Sequence, residues 1–230
     1  SGRPGLQDGE ASTAQFHGPR GMALKGSLQD GTLYVADTEN HAIRVIDLDT
    51  GAVRTVAGTG EKAHGQYALR QPTKTPLRSP WDLLLVDDRY LLIAMAGSHQ
   101  IWVLIDEEKL GPFAGNGREA LVDGPPPDAS FNQPSGLAFG RNHVFVADAE
   151  ASAVRAIALT SESKVMTLVG QGLFEFGDID GQGAEVRLQH AIGIAFAGDR
   201  VYLADTYNHK IKALDPFTAA VETLAGSGEA

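Results

Sequence analysis

One unit is written four times along this chain. Each copy holds a short strand ending in Ala-Asp or a variant of it, a polar turn of four or five residues, and a second strand. The copies run from Leu33 to Ile46, Leu91 to Leu104, Val144 to Ile157 and Val201 to Leu214. Their equivalent residues Asp37, Met95, Asp148 and Asp205 are 58, 53 and 57 positions apart (95−37, 148−95, 205−148). Such a period points to blades or solenoid coils, because a unit that small cannot bury both faces alone and must lean on its neighbour.

The first copy shows the full plan. Pro19 opens an apolar stretch through Leu24, as suits the first residue of a strand, where no ladder donor is needed. Leu33–Asp37 alternates and is rich in β-formers, the turn Thr38-Glu39-Asn40-His41 offers an Asn for positive φ, and Ile43–Ile46 follows as a third strand. After Asp47-Leu48-Asp49-Thr50-Gly51, Val53–Gly58 supplies a fourth strand. The other copies repeat this order, giving repeats of about 16–60, 77–117, 131–172 and 188–228 in a single domain, 1–230. No stretch keeps a 3.6-residue period, so almost no helix is expected. The fold class is all-β, a β-propeller of four-stranded antiparallel blades.

A second pattern lies between the copies. Asp8-Gly9 precedes Phe16, Asp123-Gly124 precedes Phe131 and Asp180-Gly181 precedes Leu188, each by eight residues (16−8, 131−123, 188−180). The spacing predicts ordered connectors, with Asp-Gly as a turn and the later apolar residue as a plug between blades. The second connector departs from the pattern around His64-Gly65 and Arg70, and is expected to be the most mobile. Strand parity places the connectors and the Asn-His turns on one face of the blades, where long loops on a rigid scaffold carry function.

Composition narrows the function. With 43% hydrophobic and 21% charged residues the chain reads as globular, and the absence of cysteine removes disulfides, thiolate metal sites and thiol catalysis. A net charge of −10 argues against a general nucleic-acid binder. No apolar run is long enough for a bilayer-spanning helix and no segment reads as a signal peptide, so no membrane partner and a cytoplasmic location are expected.

The stretches Val35-Ala36-Asp37-Thr38-Glu39-Asn40-His41-Ala42-Ile43-Arg44 and Leu203-Ala204-Asp205-Thr206-Tyr207-Asn208-His209-Lys210-Ile211-Lys212 resemble the NHL repeat, a family of β-propellers. Ser79-Pro80-Trp81-Asp82, Ile93–Trp102 and Phe174-Glu175-Phe176-Gly177-Asp178-Ile179-Asp180-Gly181 narrow the resemblance to a subgroup whose propeller follows a thioredoxin-like domain. It covers essentially the whole chain. It implies a ring of six blades, of which four are visible, and either an internal fragment or a shortened relative without the thioredoxin-like domain. Four blades forming an open arc would expose apolar faces and favour self-association.

The repeated positions offer several candidate chemistries. His41, His99, Ser152 and His209 share one turn position, and three histidines invite a metal reading, but turn geometry accounts for a repeated Asn-His. Asp37, Asp148 and Asp205 fit acid–base chemistry less well than hydrogen bonding to their own turns. Asp178-Ile179-Asp180-Gly181 lacks the remaining donors of a calcium loop. A catalytic set should break the repeat, which singles out Met95, Trp81, Arg70, His190 and Tyr207, yet no pair of them has catalytic spacing. Arg44, Trp102, Arg155 and Lys212 follow the third-strand apolar residue and are expected to lie exposed, as ordinary solvated strand positions or as interface anchors. The expectation is a non-enzymatic protein-interaction scaffold with no catalytic, metal or cofactor residues. Its candidate surface is Arg44, Arg70, His99, Trp102, Arg155, Tyr207, His209 and Lys212. The alternatives are a metal-dependent propeller lyase or hydrolase, and an RNA-binding NHL domain.

Overall fold

The computed structural model describes residues 2–65 and 70–229, which form two compact units, Ser1–Phe113 and Ala114–Ala230. Each unit holds two antiparallel sheets of the expected four-stranded kind. In the first unit, blade one contains β2 (Pro19–Lys25), β3 (Thr32–Asp37), β4 (Ala42–Asp47) and β5 (Ala52–Ala57), with the two-residue β1 (Gly9–Glu10) added at its edge. Blade two contains β6 (Pro80–Leu85), β7 (Tyr90–Met95), β8 (Gln100–Ile105) and β9 (Lys109–Ala114). In the second unit, blade three contains β10 (Pro134–Gly140), β11 (His143–Asp148), β12 (Ala153–Ala158) and β13 (Val165–Val169). Blade four contains β15 (Ala191–Ala197), β16 (Arg200–Asp205), β17 (Lys210–Asp215) and β18 (Ala220–Ala225), again with a two-residue edge strand, β14 (Gly181–Gln182).

Register follows the apolar pattern. Leu33 pairs with Ile46 and Val35 with Arg44, so these side chains share one face; Tyr34 with Val45 and Ala36 with Ile43 share the other. The second face of blade one (Tyr34, Ala36, Ile43, Val56) joins Leu83, Leu91, Ile93 and Leu104 of blade two in one core. Blades three and four repeat this, with Phe145, Val154 and Ala156 against Val201, Leu203 and Leu214. Each fully buried aliphatic of these faces stabilises its pair of blades by about 1.5–3 kcal/mol.

Two local features differ from the sequence reading. The Asp-Gly pairs of the connectors are not turns: Gly9 and Gly181 sit in edge strands, and Gly124 bridges Val165. The Asn-His turns are single 3-10 turns, Thr38–Asn40, Ala96–Ser98, Ala149–Ala151 and Thr206–Asn208, each ended by the next residue in the left-handed region. That residue is the His or Ser (φ 49, 55, 47 and 55 at His41, His99, Ser152 and His209), not the Asn. No α-helix occurs among the described residues, in line with the missing helical period. The expectation for the second connector falls partly on residues 66–69, outside those described.

Candidate interaction face

The charged residues expected at the surface are the most deeply buried polar groups. Arg44, Arg155 and Lys212 expose none of their surface and Trp102 only 3%. In blade one, Arg44 Nη1 donates to Asp37 Oδ2 (2.9 Å) and to the Gln15 carbonyl (2.7 Å), and Nη2 donates to Asp8 Oδ1 (2.8 Å) and the Gln7 carbonyl (2.9 Å). The guanidinium lies over the Phe16 ring at 4.9 Å. Asp8 in turn accepts from the Thr55 N–H (3.0 Å) and hydroxyl (2.9 Å), tying the connector to β5. Blade three builds the same clamp from Arg155, Asp148, Asp123, Thr167 and Phe131. Blade four uses Lys212, whose Nζ reaches Asp178 (2.8 Å), Asp180 (2.7 Å) and, at 3.9 Å, Asp205.

This corrects the reading of Arg44, Trp102, Arg155 and Lys212 as exposed residues. A lone Arg on a strand reads as solvated, but a guanidinium is tolerated inside when both its terminal nitrogens donate to carboxylates and carbonyls, as those of Arg44 and Arg155 do. Blade two replaces the whole set: Met95 and Trp102 stand at the Asp and Arg positions, both buried, and the indole N–H donates to Gln100 Oε1 at 3.0 Å. The charged partners disappear together, so no half-pair is left behind.

The repeated aspartates hold the connector as well as the turn. Asp37, Asp148 and Asp205 accept the N–H of His17, Asn132 and Gln189, each at 2.7 Å. Asp37 also accepts from Asn40 and Asp205 from Asn208, each at 2.8 Å, while the third turn has Ala151 there. With that donor missing, burial pushes the Asp148 carboxyl up to about 6, against the pull of Arg155 and the Asn132 N–H. Burial also raises Asp205, which Asn208, Gln189 and Lys212 oppose. For Asp8, Asp123 and Asp180 burial acts upward too. Hydrogen bonds from Thr55, Thr167, Thr223 and the buried cations outweigh it and hold these carboxyls below the usual value. The pair read as a weak calcium motif, Asp178 and Asp180, is thus occupied by an ammonium.

The residues that end the first and third turns are joint residues. His41 Nδ1 accepts the N–H of Ser79, just before β6, at 3.1 Å, and Ser152 Oγ accepts the N–H of His190, just before β15, at 3.3 Å. Each therefore pins the blade that follows it. Burial, reinforced by the charge of Lys62, pushes the His41 imidazole pKa down, consistent with a neutral acceptor. Among the described residues no three His, Asp or Glu side chains come together in a geometry that could hold a metal ion.

Most of the large apolar side chains exposed on the connector side belong to the second unit. Phe174, Phe176 and Ile179 of the last connector are 87%, 51% and 52% exposed, and Tyr207 of the fourth turn 56%. Asn208 Nδ2 donates to the Gly177 carbonyl at 2.6 Å, which fixes that connector against the turn. Tyr207 stacks on His190 (ring centroids 4.4 Å, 15° between planes), and His190 Nε2 lies 3.2 Å from Glu150 Oε2. Of the residues that break the repeat, the structure thus brings His190 and Tyr207 together. Trp81 lies in the first unit, where Arg20 stacks over its ring at 4.2 Å. Of the expected surface residues, Tyr207 and His209 are exposed and His99 is half-buried. Arg70 is exposed and bonds through its backbone to Leu110, extending the edge of blade two. Sequence reasoning passed over Phe174 and Phe176; two aromatics in a polar connector were the available signal.

Comparison with known proteins agrees with this architecture. The NHL repeat family model matches residues 16–46. The chain is 45% identical over 244 residues to the protein Suppressor of Quenching 1, chloroplastic, of Arabidopsis thaliana, covering 100% of this chain and 23% of that protein. It is 41% identical over 258 residues to NHL repeat-containing protein 2 of Bos taurus, covering 99% of this chain and 35% of that protein. The chain thus spans 23% to 35% of the length of these curated relatives. Among solved structures, an auxiliary nutrient binding protein from Bacteroides ovatus superposes with a TM-score of 0.67 at 19% identity, over 92% of this chain and 50% of that one.

Proposed function

We propose that this chain, a β-propeller of the NHL repeat family, is a non-enzymatic scaffold that binds another protein through the connector side of its blades. The observation that carries the reading is the exposed apolar set Phe174, Phe176, Ile179 and Tyr207, held in place by the Asn208–Gly177 hydrogen bond and the Tyr207–His190 stack. Large apolar side chains on a fixed backbone lose little entropy on binding and are frequent interface anchors. The polar groups nearby are already partnered: Asp178 and Asp180 by Lys212, and His190 by Glu150. That arrangement suits display of a shaped surface better than proton transfer.

The test is capture of partners from cells expressing a longer relative, using the wild-type chain and the Phe174→Ser/Tyr207→Ser variant. Specific partners should drop at least tenfold with the variant, which keeps its fold because both side chains are exposed. Undiminished capture would sink the assignment of this face.

A further inference from the structure

We propose that the cleft between blades three and four, on the hairpin side opposite the connectors, binds a small single-ring aromatic molecule bearing a hydroxyl group. The cleft holds a cavity of about 160 Å³. Phe145 and Ala156 of blade three form its buried floor, and Arg141, Met166 and Phe217 form its exposed rim. An apolar cavity of roughly 150 Å³ takes up one benzene ring.

The walls are flat. Phe145 stacks on Phe196 of blade four, with 5.5 Å between ring centroids and 6° between planes. That fit needs Gly140, where a side chain would run into the Phe196 ring. His143 lies nearly parallel to Phe145 (6.1 Å, 21°), and the Arg141 guanidinium covers the Phe217 ring at 4.9 Å. Planar walls favour a planar guest, since aromatic rings gain from offset stacking beyond the area they bury.

The first unit shows the same place put to another use. Between blades one and two lies a cavity of about 170 Å³, bordered by Lys25, Asp88, Arg89, Asp106 and Glu107. Tyr34, Arg54 and Glu107 stand there where blades three and four have Phe145, Met166 and Phe217. Tyr34 Oη donates to Glu107 Oε1 at 2.7 Å and Arg54 Nη1 to Glu107 Oε2 at 2.7 Å, so Glu107 laces the two blades together. The second unit loses the hydroxyl, the cation and the carboxylate together. Two rings and a thioether replace them, leaving apolar surface that a guest can take out of water.

His143 sets the polar group of the guest. Its Nδ1 lies 2.8 Å from the Arg141 carbonyl oxygen, which can only accept, so Nδ1 carries the hydrogen and Nε2 of the neutral ring is an acceptor. Arg141 is itself paired with Asp199, so the rim offers no uncompensated cation to an anionic guest. A ring hydroxyl supplies the matching donor.

The three methionines give the test, since Met166 borders the cavity while Met22 and Met95 belong to the first unit. In the full chain labelled with methyl-13C methionine, 4-methylphenol should shift the Met166 methyl resonance with a Kd of about 1 mM or tighter. Met22 and Met95 should stay in place. 4-Methylcyclohexanol, similar in size but without the aromatic ring, should bind at least about tenfold more weakly. Phe217→Glu restores the first unit's carboxylate at an exposed site and should weaken 4-methylphenol at least about tenfold. His143→Phe keeps the flat wall, removes the acceptor and should weaken it about fivefold. Circular dichroism of both variants checks the fold. No shift of Met166, or equal shifts of all three methionines, overturns the site. Equal binding of 4-methylcyclohexanol overturns the aromatic class, and undiminished binding by either variant overturns the part assigned to that residue.

Discussion

Asp37 and Arg44 meet at 2.9 Å with neither side chain exposing any surface. They anchor a clamp that ties turn, connector and fourth strand into one blade. Removing one partner of such a pair leaves a buried charge uncompensated, which costs about 3–5 kcal/mol. Asp37→Ala leaves Arg44 with Asp8 as its one carboxylate and should destabilise the first unit in urea unfolding by up to about that much. The Asp37→Met/Arg44→Trp double variant reproduces the second blade and should lose less than the sum of the two single changes, because no orphaned charge remains. Strict additivity across the cycle would show that the clamp is not a unit.

The fourth clamp makes a separate prediction. Lys212 Nζ occupies the space between Asp178 and Asp180, so millimolar calcium should leave the wild-type Tm unchanged. Lys212→Met should lower the Tm by removing the cation shared by Asp178, Asp180 and the buried Asp205, and by less than a fully buried pair would, because Asp178 keeps Lys210 and both connector carboxylates reach solvent. A calcium-dependent rise of the wild-type Tm would mean that the ammonium does not hold these groups.

Asp148 sets a pH dependence of unusual sign. Its carboxyl titrates near about 6 in the folded chain, above its ordinary value, so the folded state binds that proton more tightly than the unfolded one. Its contribution to stability therefore grows as pH falls from about 7 to 5. Asp123 and Asp180 are held low, so their stabilisation is present above the ordinary carboxylate value and is lost as pH falls through their depressed folded values. Carboxyl-carbon NMR should find Asp148 titrating well above Asp123; the reverse order would show that Arg155 outweighs burial.

His209 has φ 55 and an exposed side chain. His209→Gly should leave thermal stability within about 0.5 kcal/mol, whereas His209→Val should lose about 1–2 kcal/mol, since a β-branched residue is strained in the left-handed region. Equal stability of the two variants would mean that the turn relaxes.

Much of the fold was legible because it is local. Pro19, Pro80 and Pro134 mark strand starts, alternation marks β3 and its equivalents, and one period repeats through the chain. The burial of Arg44 was not legible, since a cation at a strand position looks solvated until its partners Asp8 and Asp37 are placed. Those partners lie 36 and 7 residues away (44−8, 44−37) and converge only when the connector adds β1 to the sheet edge. A signal was present, however. The three copies that keep Asp-Gly in the connector also keep the acid and the cation, and the second copy, with Met95 and Trp102, loses all of them at once. The interaction face was hidden for the opposite reason: Phe174 and Phe176 belong to no repeat, so a reading built on repetition passed over them.

The most direct test of the functional account is site-specific photo-crosslinking with a benzoylphenylalanine at Phe174, on the connector side, compared with one at Phe217, an exposed aromatic (69%) in the β17–β18 hairpin of the same unit. Both are placed in the full-length relative and irradiated in cells. The account predicts adducts to other proteins from position 174 and none above background from position 217. Adducts from 217 with none from 174 would contradict it.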